Sequence, residues 1–240
     1  MPKQTQWFVI IFVIVFVGIS IMMLAANKKG KAFLPSTFVP TDYSQRITAK
    51  IREHDAAFDS AELYQYSENV FRSILNASSN SDYEVLRNIE DGELFIKHCA
   101  QIKNLERRMK HEMFKDISVS DYTMPEYRIN ADTEQLSVYL SGVMKNYIVH
   151  SKKMNLVLGS KSQAVGFKYI LTFTRSKYSV SFRSDIVRCP SCGETVDPNV
   201  SRCPLCGTFA PLNNNGWTLT GLERLKADSK KIPNGGIIIE

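Results

Sequence analysis

The apolar pattern of this chain changes character along its length. From Trp7 to Ala26 no residue is charged, and the core WFVIIFVIVFVGISIMML is almost wholly apolar. A helix of about 20 such residues spans the roughly 30 Å of hydrocarbon in a bilayer, so a single transmembrane helix is predicted at 7–26. A helical period follows. Asp59 can cap a helix with Glu62 three residues on, and Phe58 and Leu63 flank the cap as a hydrophobic staple. Behind it Leu63, Val70, Phe71, Ile74 and Leu75 recur at helical spacing and mark one buried face. A shorter amphipathic turn is expected around Ile47 to Ile51, and the small polar residues from Asn76 to Ser81 break the pattern. Ser81 with Glu84 repeats the capping pair before Val85, Leu86 and Ile89, and a longer helix then carries Leu94, Ile102, Leu105 and Met109 on its apolar side.

From about Met113 the period becomes two. Ile117 and Val119 alternate with serines, Leu136, Val138 and Leu140 with Ser137, Tyr139 and Ser141, and Phe167, Tyr169, Leu171 and Phe173 with Lys168, Ile170, Thr172 and Thr174. Asn130-Ala131-Asp132 and Gly159-Ser160-Lys161-Ser162 read as hairpin connections, and Gly142 as a bulge or bend. Helices followed by antiparallel strands mean an α+β fold, a helical layer on an antiparallel sheet. The expected organisation is a short N-terminal tail (1–6), the transmembrane helix (7–26), a tether (27–43) with Gly30, Pro35 and Pro40, an α+β domain (44–231) interrupted at 188–212, and a C-terminal tail (232–240).

The interruption is a four-cysteine cassette. Cys189-Pro190-Ser191-Cys192-Gly193 and Cys203-Pro204-Leu205-Cys206-Gly207 give the spacing C-x2-C-x10-C-x2-C, the pattern of a zinc site. Two residues between cysteines let both sulfurs turn onto one cation, and four sulfurs close a tetrahedral site. No ligand position remains for water, so a zinc held by Cys189, Cys192, Cys203 and Cys206 is structural. A tetrahedral sulfur site also suits a single iron, and spacing alone leaves that choice open. Disulfides are disfavoured: a small secreted framework normally lacks this internal symmetry, and only Cys99 is left over.

Charge adds direction. The net charge is +6 over 240 residues, but Asp42 to Leu94 holds eleven acids against five bases, whereas Ser151 to Arg188 holds eight bases against Asp185 alone. Lys152, Lys153, Lys161, Lys168, Arg175 and Lys177 therefore form a candidate surface for anionic lipid or a protein partner. Only Lys3 and the α-amino group precede the apolar segment while Lys28, Lys29 and Lys31 follow it, which by the positive-inside rule puts the domain in the cytoplasm. Reduced zinc thiolates agree with that compartment. A secretory signal is the rival, but its apolar region spans only about 7 to 15 residues.

Two strands carry a family resemblance. Tyr169-Ile170-Leu171-Thr172-Phe173-Thr174-Arg175 resembles the aromatic-Thr-Phe-x-Arg strand, and Gly216-Trp217-Thr218-Leu219 the closing Trp-x-Leu strand, of the Tim-forty-four-like family. The family is named for a mitochondrial inner-membrane translocase subunit that tethers the import motor. The resemblance covers about Asp55 to Lys226 and implies helices on a curved antiparallel sheet, similar to the nuclear-transport-factor-two-like and cystatin-like folds. Bacterial members with one N-terminal span and a zinc ribbon inserted before the last strand look much like this chain, which implies the bacterial inner membrane and a role linked to transport or translocation. The chain departs from the pattern with Tyr169 where tryptophan is more typical, and it shows neither a mitochondrial presequence nor a long charged segment before the domain, so the import-motor role does not carry over. Phe167, Tyr169, Leu171, Phe173 and Trp217 are expected to line either the core or a hydrophobic pocket between sheet and helices.

The function expected is a membrane-anchored, non-catalytic binding or scaffold domain with a protein or lipid partner. The alternative is a zinc-ribbon adaptor for protein or nucleic acid. Nucleic acid fits poorly, because alternation puts most aromatics of the basic stretch on the face opposite its cations. No GxSxG, P-loop, HExxH or dinucleotide fingerprint occurs, no small-molecule substrate suggests itself, and His54, His98, His111 and His150 sit in no catalytic motif. The cysteine spacing yields one quantitative expectation. Purified protein should carry one zinc per chain by atomic spectroscopy, replacing any cassette cysteine by serine should lose most of it, and replacing Cys99 should change nothing.

Overall fold

The computed structural model describes residues 39–181, 187–188, 192–196, 203–206, 215–225 and 233–240. The apolar segment 7–26 lies outside these, and among the described residues no helix is long and apolar enough to cross a membrane. Helices come first in the domain: α1 (Ser44–Arg52), α2 (Ser60–Asn80), α3 (Tyr83–Ile89) and α4 (Gly92–Arg107). Strands follow: β1 (Lys110–Ile129), β2 (Thr133–His150), β3 (Leu156–Gly159), β4 (Val165–Ser176), β5 (Val187–Arg188), β6 (Thr195–Val196), β7 (Thr218–Arg224) and β8 (Gly236–Ile239). The α+β class is as expected.

The helices α2, α3 and α4 start where an aspartate side chain accepts an unpaired amide, whereas α1 has Tyr43 at its cap position and no side-chain cap. Asp59 accepts from the Ala61 amide at 2.8 Å, as its place in the pattern predicts. The next cap is Asp82, accepting from Val85, and Ser81 instead ends α2 in the left-handed region at φ 54. The helix α2 also runs through Asn76–Asn80, where small polar residues suggested a break. Its serines explain this: Ser78 and Ser79 donate to the carbonyls of Ile74 and Leu75 one turn back, and Ser79 Oγ accepts the Phe114 amide of β1 at 3.0 Å. The Ser79 hydroxyl thus joins helix to sheet.

The main sheet has the order β7-β4-β2-β1-β8, with β3 pairing β2 in line with β4. It is mixed, not antiparallel throughout, because β8 pairs β1 in parallel from Glu126↔Gly236 to Ile129↔Ile239. The stretch expected as a C-terminal tail is therefore an edge strand, and the cassette precedes the second-last strand. The tether's last residues also join the domain, since the Tyr43 amide donates to the Met124 carbonyl at 3.0 Å. The turn at 130–132 is a hairpin, but Gly159–Ser162 links β3 to β4 along one edge of β2, and the tight turn falls at Ser151–Asn155.

One face of this curved sheet packs on α2 to form the core. Phe71 stacks on Phe167 and Tyr169 at centroid distances of 5.2 and 4.9 Å, and Tyr66 on Phe173 at 5.5 Å. On the other face Tyr139, Ile170 and Leu225 make a small cluster of their own. The pairing of β1 with β2 shifts register at Lys115/Ser118, Val119/Asp121 and Thr123/Glu126, and such bulges bend long strands. Gly142 lies at one of them, where an added Cβ would meet the Ser118 carbonyl oxygen at 2.0 Å. Gly142→Ala should therefore cost about 1–3 kcal/mol through forced backbone movement, read as a lower urea midpoint with an unchanged slope.

Candidate metal centre and buried ion cluster

The short strands β5 and β6 pair antiparallel, Val187 with Val196 and Arg188 with Thr195, so a two-stranded hairpin brackets the first cysteine knuckle. Gly193 turns left-handed at φ 73, which suits the position after the second cysteine. The sulfurs of Cys192, Cys203 and Cys206 all lie within 4.8 Å of one another, and Cys203 packs under Val196. Cys189 lies outside the described residues. The Cys192 and Cys203 sulfurs are 3.7 Å apart. A disulfide bond is about 2.0 Å, whereas two sulfurs bound to one zinc at about 2.3 Å sit about 3.8 Å apart along a tetrahedron edge. The thiols described fit a tetrahedral metal.

The second feature was missed as a site. Arg175 was expected on a basic surface, but its side chain is fully buried. Its Nη2 lies 2.9 Å from Asp55 Oδ2 as an ion contact, its Nε donates to Glu134 Oε1, and its guanidinium lies 4.3 Å from the Trp217 ring centroid. Tyr127 donates to the other Glu134 oxygen, and His54 Nε2 approaches that oxygen at 3.1 Å. Asp55 also accepts from the amide and hydroxyl of Ser181 at 3.0 and 2.6 Å. Arg175 Nη1 donates to the Asn215 carbonyl at 3.3 Å. The ion cluster thus grips the chain just before and just after the cassette. Its signal lay in the alternation itself, since Arg175 has the parity of the core residues Phe167, Tyr169, Leu171 and Phe173.

Of the other expected surface cations, Lys152, Lys153 and Lys161 are exposed, and Lys168 and Lys177 half-buried. Phe167, Tyr169, Leu171, Phe173 and Trp217 are all buried in one packed core. Tyr169 also reaches a cleft of about 290 Å³ between α4 and the start of β1, which Ser78, His98, Glu112 and Leu222 line as well. Burial pushes the Tyr169 phenol up to about 12.

At that cleft His98 Nε2 lies 2.8 Å from Ser78 Oγ and its Nδ1 2.7 Å from Glu90 Oε1. The order serine, histidine, carboxylate matches a hydrolytic triad, but Ser78 sits in the last turn of α2 and its hydroxyl bonds the Ile74 carbonyl. The negative end of a helix dipole disfavours an alkoxide there. The grouping instead holds α2 against the α3–α4 junction.

Residues 44–186 match the Tim44-like domain, which is more than half of the chain. The chain belongs to the Tim44-like family. No curated protein matches it. Among solved structures it is similar to the crystal structure of the intermembrane space region of the chloroplast protein ARC6, with 10% identity, 70% of this chain and 98% of that chain covered, and a TM-score of 0.37. The Tim44-like match stops at the last residue before β5, so the cysteine hairpin lies beyond it.

The Asp55 carboxyl tests the ion cluster. Burial would raise it, but the Ser181 hydroxyl and amide, with Arg175, outweigh that and hold it below its ordinary value of 3.8. A carboxyl lowered on folding stabilises the protein above its unfolded value and loses that contribution as pH falls through the folded one. Asp55→Asn should therefore cost about 1–3 kcal/mol at pH 7 by removing charged hydrogen bonds from Ser181 and the ion contact to Arg175, which keeps Glu134 as its partner. The gap to the parent chain should narrow below about pH 4 in thermal or urea unfolding.

Proposed function

We propose that this chain is a non-catalytic scaffold domain tethered to the cytoplasmic face of a bacterial inner membrane by one transmembrane helix, where it engages a lipid or protein partner in transport or protein translocation. The observation that carries this reading is a Tim44-like domain at 44–186 preceded by a segment, Trp7 to Ala26, without a charged residue. The filled aromatic core supports a role through surfaces, because a domain that carried apolar cargo would need a continuous cavity where Phe71 packs on Phe167 and Tyr169. The cassette contributes stability to one small unit. Cys189, Cys192, Cys203 and Cys206 would hold a zinc whose chemistry is structural: it replaces a hydrophobic core too small to fold alone.

The exposed cations Lys152, Lys153 and Lys161 face the anionic partner in this reading, with Lys168 and Lys177 at its margin and Arg175 excluded by its burial. Topology is the decisive test. A reporter fused after Glu240 should be active only in the cytoplasm, and the mature chain should retain residues 1–26 by mass spectrometry of the membrane fraction. An active periplasmic phosphatase at that position, or a mature chain beginning near Asn27, would refute the anchored cytoplasmic reading.

A further inference from the structure

The turn between β2 and β3 exposes more apolar surface than its place on a soluble domain accounts for. All of β3, Leu156-Val157-Leu158-Gly159, is exposed, Leu158 at 65%, and Met154 at the turn is half exposed. This strand pairs with β2 on one side through Tyr147↔Gly159, Ile148↔Leu158 and Val149↔Leu156, with a register shift that sets Val157 apart from the ladder. An apolar strand of this kind at an edge is an aggregation hazard unless something covers it.

The charge around it selects the cover. Lys152 and Lys153 sit in the turn, and the Lys161 ammonium folds back to donate to the Met154 carbonyl at 3.0 Å. Between Glu134 and Asp185 the chain has no acidic residue at all. Glu112 of β1 stands across β2 from Leu158, both pairing with Ile148, and its carboxylate is already engaged, accepting from Asn146 at 2.8 Å. A second copy of this chain would bring lysines against lysines, which opposes edge-to-edge pairing. A surface with anionic headgroups above an apolar layer satisfies both halves of the hairpin: cations attract it, and the apolar tip enters the headgroup boundary.

Reach allows it as well. Ahead of the Thr41 and Tyr43 amides, which already bond Asn234 and Met124, the segment 27–40 can span at most about 50 Å when fully extended, more than the diameter of about 40 Å for a domain of this size. We propose that the β2–β3 hairpin is a membrane-inserting finger, with Met154, Leu156, Val157 and Leu158 entering the interface of an anionic leaflet and Lys152, Lys153 and Lys161 pairing with its headgroups. This rests on the anchored reading above for its geometry but not for its chemistry.

The test uses the full chain in nanodiscs, either of pure phosphatidylcholine or containing phosphatidylglycerol, with and without bromine on the acyl chains. Leu158→Trp adds a fluorophore at an exposed position, and Val157→Trp serves as the second variant should the first misfold. In anionic discs the added emission should shift to the blue and fall about twofold or more on bromination, and Lys152→Gln/Lys153→Gln/Lys161→Gln should abolish the quenching. Emission unquenched in anionic discs overturns the proposal, as does equal quenching in neutral ones, and quenching or protection that appears only with two chains per disc assigns the patch to a second copy. Failure of the chain to enter discs would remove the anchor alone. Flotation of the same chain with anionic but not neutral vesicles, lost in the triple lysine variant, would still support the finger, and flotation with neither would sink both.

Discussion

A guanidinium with no access to water organises the middle of this domain. Taking Arg175 out of solvent is costly, and only close opposite charges with well-placed hydrogen bonds offset that cost. Asp55 and Glu134 each bring a carboxylate to Arg175, and the His54 ring lies at the rim of Glu134. The planar fork matters as much as the charge, because its separate nitrogens reach Asp55, Glu134 and Asn215 while its flat face lies on Trp217. Lysine could make one of these contacts but not the set.

Those contacts come from places far apart in sequence: the α1–α2 connection, two strands, and the chain on either side of the cassette. Ser181 and Asn215 are both fixed to the same cluster, so whatever lies between them starts and ends at set points. Closing an already closed loop costs little more as it lengthens, about 0.6 kcal/mol per doubling. An insertion with its own fold can therefore sit between 181 and 215 without rebuilding the core, and its pairing of Val187 with Val196 and convergence of three sulfurs use only its own residues. The end of the Tim44-like match at residue 186 falls at the same boundary.

Much of this was legible in the sequence, and the exceptions have physical causes. The Asp59 cap, the apolar face of α2 and the alternation in β2 and β4 are local, and local patterns can be read along the chain. The parallel strand β8 is not local: Gly236–Ile239 joins β1 across more than a hundred residues, and at a chain end the same apolar run looks like a tail. Ser78 and Ser79 read as helix breakers because their hydroxyls can compete for backbone groups, yet here they bond carbonyls one turn back and extend α2. Arg175 was placed on the surface by its charge although its parity placed it in the core. Parity was the better guide, because a strand cannot turn one side chain to the other face without a bulge. The cysteine spacing is likewise local, and Cys192, Cys203 and Cys206 lie close together in the fold.

The core also narrows how such a domain can act. With the aromatic residues of β4 filled by α2, a partner has to be met at edges and faces, and one edge is already occupied: the Asp91 amide pairs with the Leu219 carbonyl of β7 at 2.9 Å. At β3 the apolar side chains are exposed, and among the described residues no strand pairs its outer edge. A domain held beside a bilayer by a short tether experiences that surface at an effective concentration in the mM range. A contact too weak to recruit a free protein then suffices to orient a tethered one. The small size of the hairpin is therefore consistent with a positioning role: it need only choose which face of the domain turns toward the membrane, leaving the remaining faces for a partner.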